Sequence, residues 1–201
     1  GEVNYRRRWL APNPAIQGSW LGGIRYFEMD ETFGFSAVGS RDNTFNFNQL
    51  RFFNMDTETR NHLVGFQLGG DMWANIIPGL AVGTELKAGV YNNHVDVETV
   101  VVSNSVQRAS ERLSKDRAAF LVESNVQGIY RLTYSWTLRG AYNVMYVDKV
   151  ALAPENFNSR LTTSVPPTPQ IQAFGINRAP FVDATGHALY HGFSFGAEFL
   201  W

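Results

Sequence analysis

The stretch HALYHGFSFGAEFLW, His187–Trp201, repeats in twos. Leu189, Phe193, Phe195, Ala197, Phe199 and Trp201 fall on one side of an extended backbone, and Ser194, Gly196 and Glu198 on the other. The run is longer than a usual strand of about 5–6 residues, and a tilted strand needs about 9–11 to cross a bilayer. Six more stretches behave alike: Glu2–Leu10, Ser19–Asp30, Asn61–Trp73, Leu80–Asn92, Ala118–Tyr130 and Ser135–Asp148. Val64, Phe66, Leu68 and Met72 oppose Gln67, Gly69 and Asp71. Leu86, Ala88 and Val90 oppose Glu85, Lys87 and Tyr91. Phe120, Val122 and Val126 oppose Glu123, Asn125 and Gln127, and Leu138, Tyr142 and Val144 oppose Arg139 and Asn143. The first two strands are less clean, with Arg7 on the face of Val3, Tyr5 and Trp9.

Short and long connections alternate. Pro12–Gly18, Asn75–Gly79 and Arg131–Tyr134 read as turns, whereas 31–60, 93–117 and 149–186 read as long loops. Loops above about 15 residues are uncommon in compact domains. A transmembrane barrel with short periplasmic turns and long external loops accounts for all three. The second loop is polar over Ser105–Arg117 with room for a short helix, and the third holds the extended run Val165-Pro-Pro-Thr-Pro169.

This alternation gives each strand a direction, and the five tryptophans test it. Trp9, Trp20, Trp73, Trp136 and Trp201 all fall at the short-turn side, as an aromatic girdle at a membrane interface would. Trp9, Trp20, Trp136 and Trp201 are the expected interface residues. The parity of Trp73 points it inward.

Composition sets limits on the 201-residue chain. Seventeen basic and 18 acidic residues give a net charge of -1, which argues against a nucleic-acid binder working by bulk charge. The absence of cysteine removes disulfides and thiolate chemistry. Charged residues are 17%, low for a soluble surface, and no run is long enough for a membrane helix.

The last strand, closing on Phe195, Phe199 and Trp201, resembles the C-terminal signal of bacterial outer-membrane barrels. That resemblance implies recognition by the barrel assembly machinery through these three residues. The stretches Glu2–Trp9, Trp20–Ser36, His62–Trp73, Tyr130–Pro154 and Gly186–Trp201 together resemble an outer-membrane β-barrel family abundant in Planctomycetes. The resemblance implies a bacterial outer-membrane location, contact with outer-membrane lipid and no enzymatic activity.

The expected fold is therefore all-β, an antiparallel transmembrane barrel of about seven to eight strands, with one domain over 1–201. Strands one and seven run the same way and cannot close antiparallel. The chain thus reads as the C-terminal part of a larger barrel lacking N-terminal strands, unless a strand over Thr44–Phe53 completes it.

Arg25, Gln67, Asp71, Glu85, Lys87, Glu123, Arg139, Asn143 and Glu198 face inward in this scheme, together with Glu2, Arg6 and Arg8. They line a polar pore or fill a narrow barrel with ion pairs. The small interior Gly65, Gly69, Gly83, Gly89, Gly192 and Gly196 weigh toward the pore, and five basic against five acidic inward residues imply weak charge selectivity.

Other candidates are weaker. His187 and His191 lie about 13 Å apart on a strand and cannot share a metal. His94 and Asp96 with Ser103 or Ser105 would make a rim hydrolase only if geometry joined them. Asp30-Glu31 and Asp56 with Glu58 offer oxygen ligands for a cation, or simply a solvated loop. No metal and no cofactor is expected. The expected function is a porin-like passive channel for small solutes. The rivals are a non-conducting structural barrel and a soluble barrel whose apolar faces point inward onto an apolar ligand. In the channel scheme Phe66→Arg is disruptive and Gln67→Arg mild.

Overall fold

Alternation continues past the point where its polarity reverses, and this makes the strands long. The computed structural model describes residues 1–10, 12–13, 15–40, 50–103, 107–157 and 182–201. Seven strands, β1 (Glu2–Leu10), β2 (Ile16–Ser40), β3 (Leu50–Ile77), β4 (Leu80–Ser103), β5 (Gln107–Arg131), β6 (Trp136–Val150) and β7 (Gly186–Phe199), form one antiparallel sheet in chain order. Among the described residues β1 pairs only with β2 and β7 only with β6, so the sheet is not closed. One helical turn, α1 (Ala153–Asn156), follows β6.

The short turns lie where expected. Pro78-Gly79 reverses β3 into β4, with Gly79 at φ 91°, a conformation that a Cβ would strain. Before β6, Thr133 Oγ1 accepts from the amides of Ser135 and Trp136 at 3.2 and 3.0 Å.

Two of the three expected long loops are not loops. β2 and β3 run 25 and 28 residues, pairing from Ile16↔Ala74 to Ser40↔Leu50, and β4 and β5 pair from Leu80↔Tyr130 to Ser103↔Gln107. Residues 31–40, 50–60, 93–103 and 107–117 are strand, which also replaces the helix expected within Ser105–Arg117. Of the extra strand expected over Thr44–Phe53, 50–53 belong to β3 and 44–49 lie outside the described residues, as do Ser105 and the proline run 165–169.

Hydrogen-bonded rows across β2–β5 show the physical reason. The row Ile24–Phe66–Val90–Phe120 is apolar and exposed. The row Tyr26–Val64–Asn92–Ala118 is transitional. The next, Glu28–His62–His94–Asp116, is polar throughout, and Asp30–Arg60–Asp96–Ser114 follows it. On the opposite face the order is reversed. The charged Lys87 and Glu123 lie level with the apolar rows, and buried Val95, Val97 and Val101 lie level with the charged ones. The strands are inside-out for part of their length and conventionally sided beyond it. From Val64 to Met72 on β3 and from Phe120 to Tyr130 on β5, the apolar band spans the length of a transmembrane strand, about 9–11 residues.

Phe66 is 74% exposed and its neighbour Gln67 is 1% exposed, so the apolar face is the outer one. A soluble barrel with apolar residues turned inward has the opposite arrangement in this band. The polar face is concave. Arg6 on β1 reaches Glu85 on β4, and Arg25 on β2 reaches Glu123 on β5. Strands three apart are separated by about 14 Å along a sheet, so only marked curvature brings these side chains together.

Candidate functional site

Period-two geometry places the inward set along adjacent strands of the concave face, and curvature links them. Asp71, Arg6, Glu85, Lys87, Glu2, Arg25 and Glu123 form one chain of alternating charge. Its successive separations are 2.6, 3.2, 3.3, 3.1, 4.0 and 2.5 Å. It draws on β1 to β5, and each cation ties two carboxylates: Arg6 those of Asp71 and Glu85, Lys87 those of Glu85 and Glu2, and Arg25 those of Glu2 and Glu123. Ser19 donates a hydroxyl hydrogen bond to Asp71. Gln67 donates to Glu2 and Asn4, each at 2.8 Å, and accepts from the Tyr91 hydroxyl at 3.2 Å. Gln67 is thus a buried tie between the charged chain and Tyr91, and Gln67→Arg is costly where the sequence pattern alone made it mild.

The remaining inward candidates sit to one side. Arg139 pairs with Glu198 at 2.7 Å across β6 and β7, and Asn143 accepts from Asn125 across β5 and β6. A polar cavity of about 230 Å³ opens beside the charged chain, lined by Glu85, Lys87, Glu123, Asn125 and Gln127 of β4 and β5.

Four of the six interior glycines do not leave open space: a Cβ at Gly65 would meet Val90 O and Tyr91, and one at Gly69 would meet Leu86 O and Lys87. A Cβ at Gly83 would stand 2.6 Å from the Trp73 ring, and one at Gly89 would stand 2.7 Å from the Tyr91 ring. Those rings fill the room, whereas Gly192 and Gly196 do face open space. Beyond the charged chain the concave face turns apolar, with Met29, Leu63, Tyr91, Ala119, Leu121, Val147 and Val150 packed together. The sequence pattern did not show this layer.

Four tryptophans border the outer band at its short-turn side. Trp20, Trp136 and Trp201 are exposed, Trp136 against Phe199 with ring centroids 5.0 Å apart. The Trp9 ring covers Gly18. Phe195, Phe199 and Trp201 all present their rings outward from the last strand or just beyond it.

The weaker candidates do not assemble. His94 Nδ1 lies 2.7 Å from Asp116, and its Nε2 lies 4.0 Å from Asp96. Ser114 meets Asp96, and it donates to the carboxylate rather than to an imidazole; the hydroxyls of Ser103 and Ser105 lie outside what the structure describes. Among the described residues of this group, then, the serine hydroxyl is not set against a histidine base. The hydrogen bond to Asp116 raises the His94 pKa above its ordinary value, and the Ser114 hydroxyl, followed by Arg112, holds Asp96 below the usual carboxylate range. Glu31 accepts from the Ala153 amide on the concave face, whereas Asp30, Asp56 and Glu58 fall on the outer face, where Glu58 pairs with Arg60. Among the described residues no group of three or more carboxylates and histidines could hold a metal ion.

Sequence reasoning missed Asn61, Asn93 and Asn156, all buried. A cue was present: asparagine is depleted in strands, so Asn61 and Asn93 inside long β runs needed a partner.

No curated protein and no solved structure matches the chain. A family profile described as Putative beta barrel porin-7 (BBP7) matches residues 2–201. With an all-antiparallel sheet that is apolar outside and charged inside over a bilayer's thickness, the chain belongs to this β-barrel porin family.

Proposed function

We propose that the protein is a passive channel for small hydrophilic solutes in a bacterial outer membrane. The observation that carries this reading is the inversion of face polarity along β2–β5, which suits lipid outside and water inside over one bilayer. The path would follow the concave face past Arg25, Asp71, Glu85, Lys87, Glu123 and Arg139 and through the polar cavity beside them. Matched opposite charges make discrimination between anions and cations weak. Trp9, Trp20, Trp136 and Trp201 would lie at the periplasmic interface. Phe195, Phe199 and Trp201 would be read by the barrel assembly machinery.

A second reading, a non-conducting structural barrel, draws support from the ion pairs joining β1 to β4 and from the apolar layer around Leu63. Single-channel recording in planar bilayers separates the two. Discrete conductance steps are the expected result, and a flat trace from protein with heat-modifiable gel mobility would refute the channel.

A further inference from the structure

The chain leaving β6 does not rise away from the sheet. Lys149 takes a left-handed φ of 60°, and the β6–β7 register shifts between Asp148 and Val150. The backbone then turns onto the concave face. Asn61 on β3 grips it as a neighbouring strand would. Its Nδ2 donates to Ala151 O at 2.9 Å, and its Oδ1 accepts from Ala151 N at 2.8 Å. Asn93 on β4 donates to Asn61 Oδ1 at 3.0 Å and to Lys149 O at 3.2 Å.

The grip extends further across the sheet. Glu31 on β2 accepts from Ala153 N at 2.9 Å. Ala151 and Ala184 are fully buried against Val95 and Val97 of β4. Asn156 donates to Asp183 O and accepts from Asp183 N, both at 2.8 Å, so the two ends of the β6–β7 connection are tied together. A segment that starts at β6 and bonds to β2, β3 and β4 crosses about 19 Å of sheet, measured as four strand spacings. It lies just beyond the apolar layer, level with the rows where the outer face becomes charged.

We infer that Val150–Asn156 with residues 182–185 is a fixed constriction across the external mouth, and that Asn61 and Asn93 are the positioning residues through which it sets the size of solute admitted. The inference rests on the channel reading above. Ordinary strand-to-strand connections need no buried amide pair holding them down. Here three asparagines, each at most 1% exposed, give up solvation to hold a backbone inside the concavity.

The chain contains no cysteine, so one introduced thiol reports cleanly. Full-length Ala151→Cys is made alone and with Asn61→Leu and Asn93→Leu, and folding is verified by heat-modifiable gel mobility. Labelling by a membrane-impermeant maleimide should be at least about tenfold faster with both asparagines replaced. Without the thiol substitution, the double variant should conduct at least about twofold more in potassium chloride and admit larger oligosaccharides in liposome swelling. Fast labelling of the introduced thiol with both asparagines intact would overturn the inference. A conducting wild type whose conductance and size limit are unchanged in the double variant would overturn the constriction alone. Flat traces from both would overturn the channel and the constriction together.

Discussion

Arginine placed along the outer face of β3 should report depth in the bilayer. Phe66 lies four residues from His62, where the outer face of β3 first turns polar beyond Val64. Four residues at about 3.4 Å each and a tilt of about 40° put Phe66 roughly 10 Å below that boundary, near the middle of an apolar band about 25 Å tall. Phe66→Arg should therefore cost about 2–4 kcal/mol, the range for arginine at the midplane. Val64→Arg should cost less, and His62→Arg about 0–1 kcal/mol, because the boundary is already aqueous. Gln127→Arg is the control for the other face: it lines the polar cavity beside Glu85 and Glu123 and should cost under about 1 kcal/mol. Urea titration of refolding into vesicles, followed by tryptophan fluorescence and gel mobility, measures the series. A profile flat from His62 to Phe66, or a larger penalty at Gln127 than at Phe66, would refute the assignment of faces.

Three further outcomes follow from the geometry. Arg25→Met leaves Glu123 without its cation, while Glu2 keeps Lys87, and should cost about 2 kcal/mol in the same titration; the value sits below the range of about 3–5 for fully buried pairs because Glu123 is one-third exposed. Lys149→Gly removes a left-handed penalty of about 1–2 kcal/mol against a backbone-entropy cost of about 0.5–1, so it should be neutral to mildly stabilising, whereas Lys149→Val should destabilise; thermal melts distinguish them. His94 has a raised folded pKa, so its bond to Asp116 contributes stability that is fully present below the ordinary histidine value of 6.5 and is lost as pH rises through the folded value. Asp116→Asn should flatten that part of the pH–stability curve, and an unchanged curve would remove the assignment.

Phe66 against Gln67, or Phe195 against Gly196, could be read directly, because a strand between lipid and a polar interior writes its environment at every second residue. The ends of β2–β5 could not. At Glu58-Thr-Arg-Asn61 both faces carry polar residues, so the alternation fades although the backbone stays extended. In Val95-Asp-Val-Glu98 the alternation returns with apolar residues on the other face, a pattern that looks like the start of something new unless the membrane boundary is already known. The charged chain was legible as a set of inward residues but not as a connected chain. Three of its six links join strands three apart, and curvature is not encoded in spacing along one strand. The asparagine grip on Ala151 joins residues 90 positions apart and leaves no local pattern.

Face inversion along one strand has a consequence for assembly. In a strand whose faces meet one contrast only, a one-residue slip is penalised once. In β4 the same slip would turn Lys87 and Glu85 toward lipid and, in the same movement, Val95 and Val97 toward water. The aqueous half of each long strand thereby proofreads the register of the half in the bilayer, where hydrogen bonding alone would accept a shifted partner almost as well.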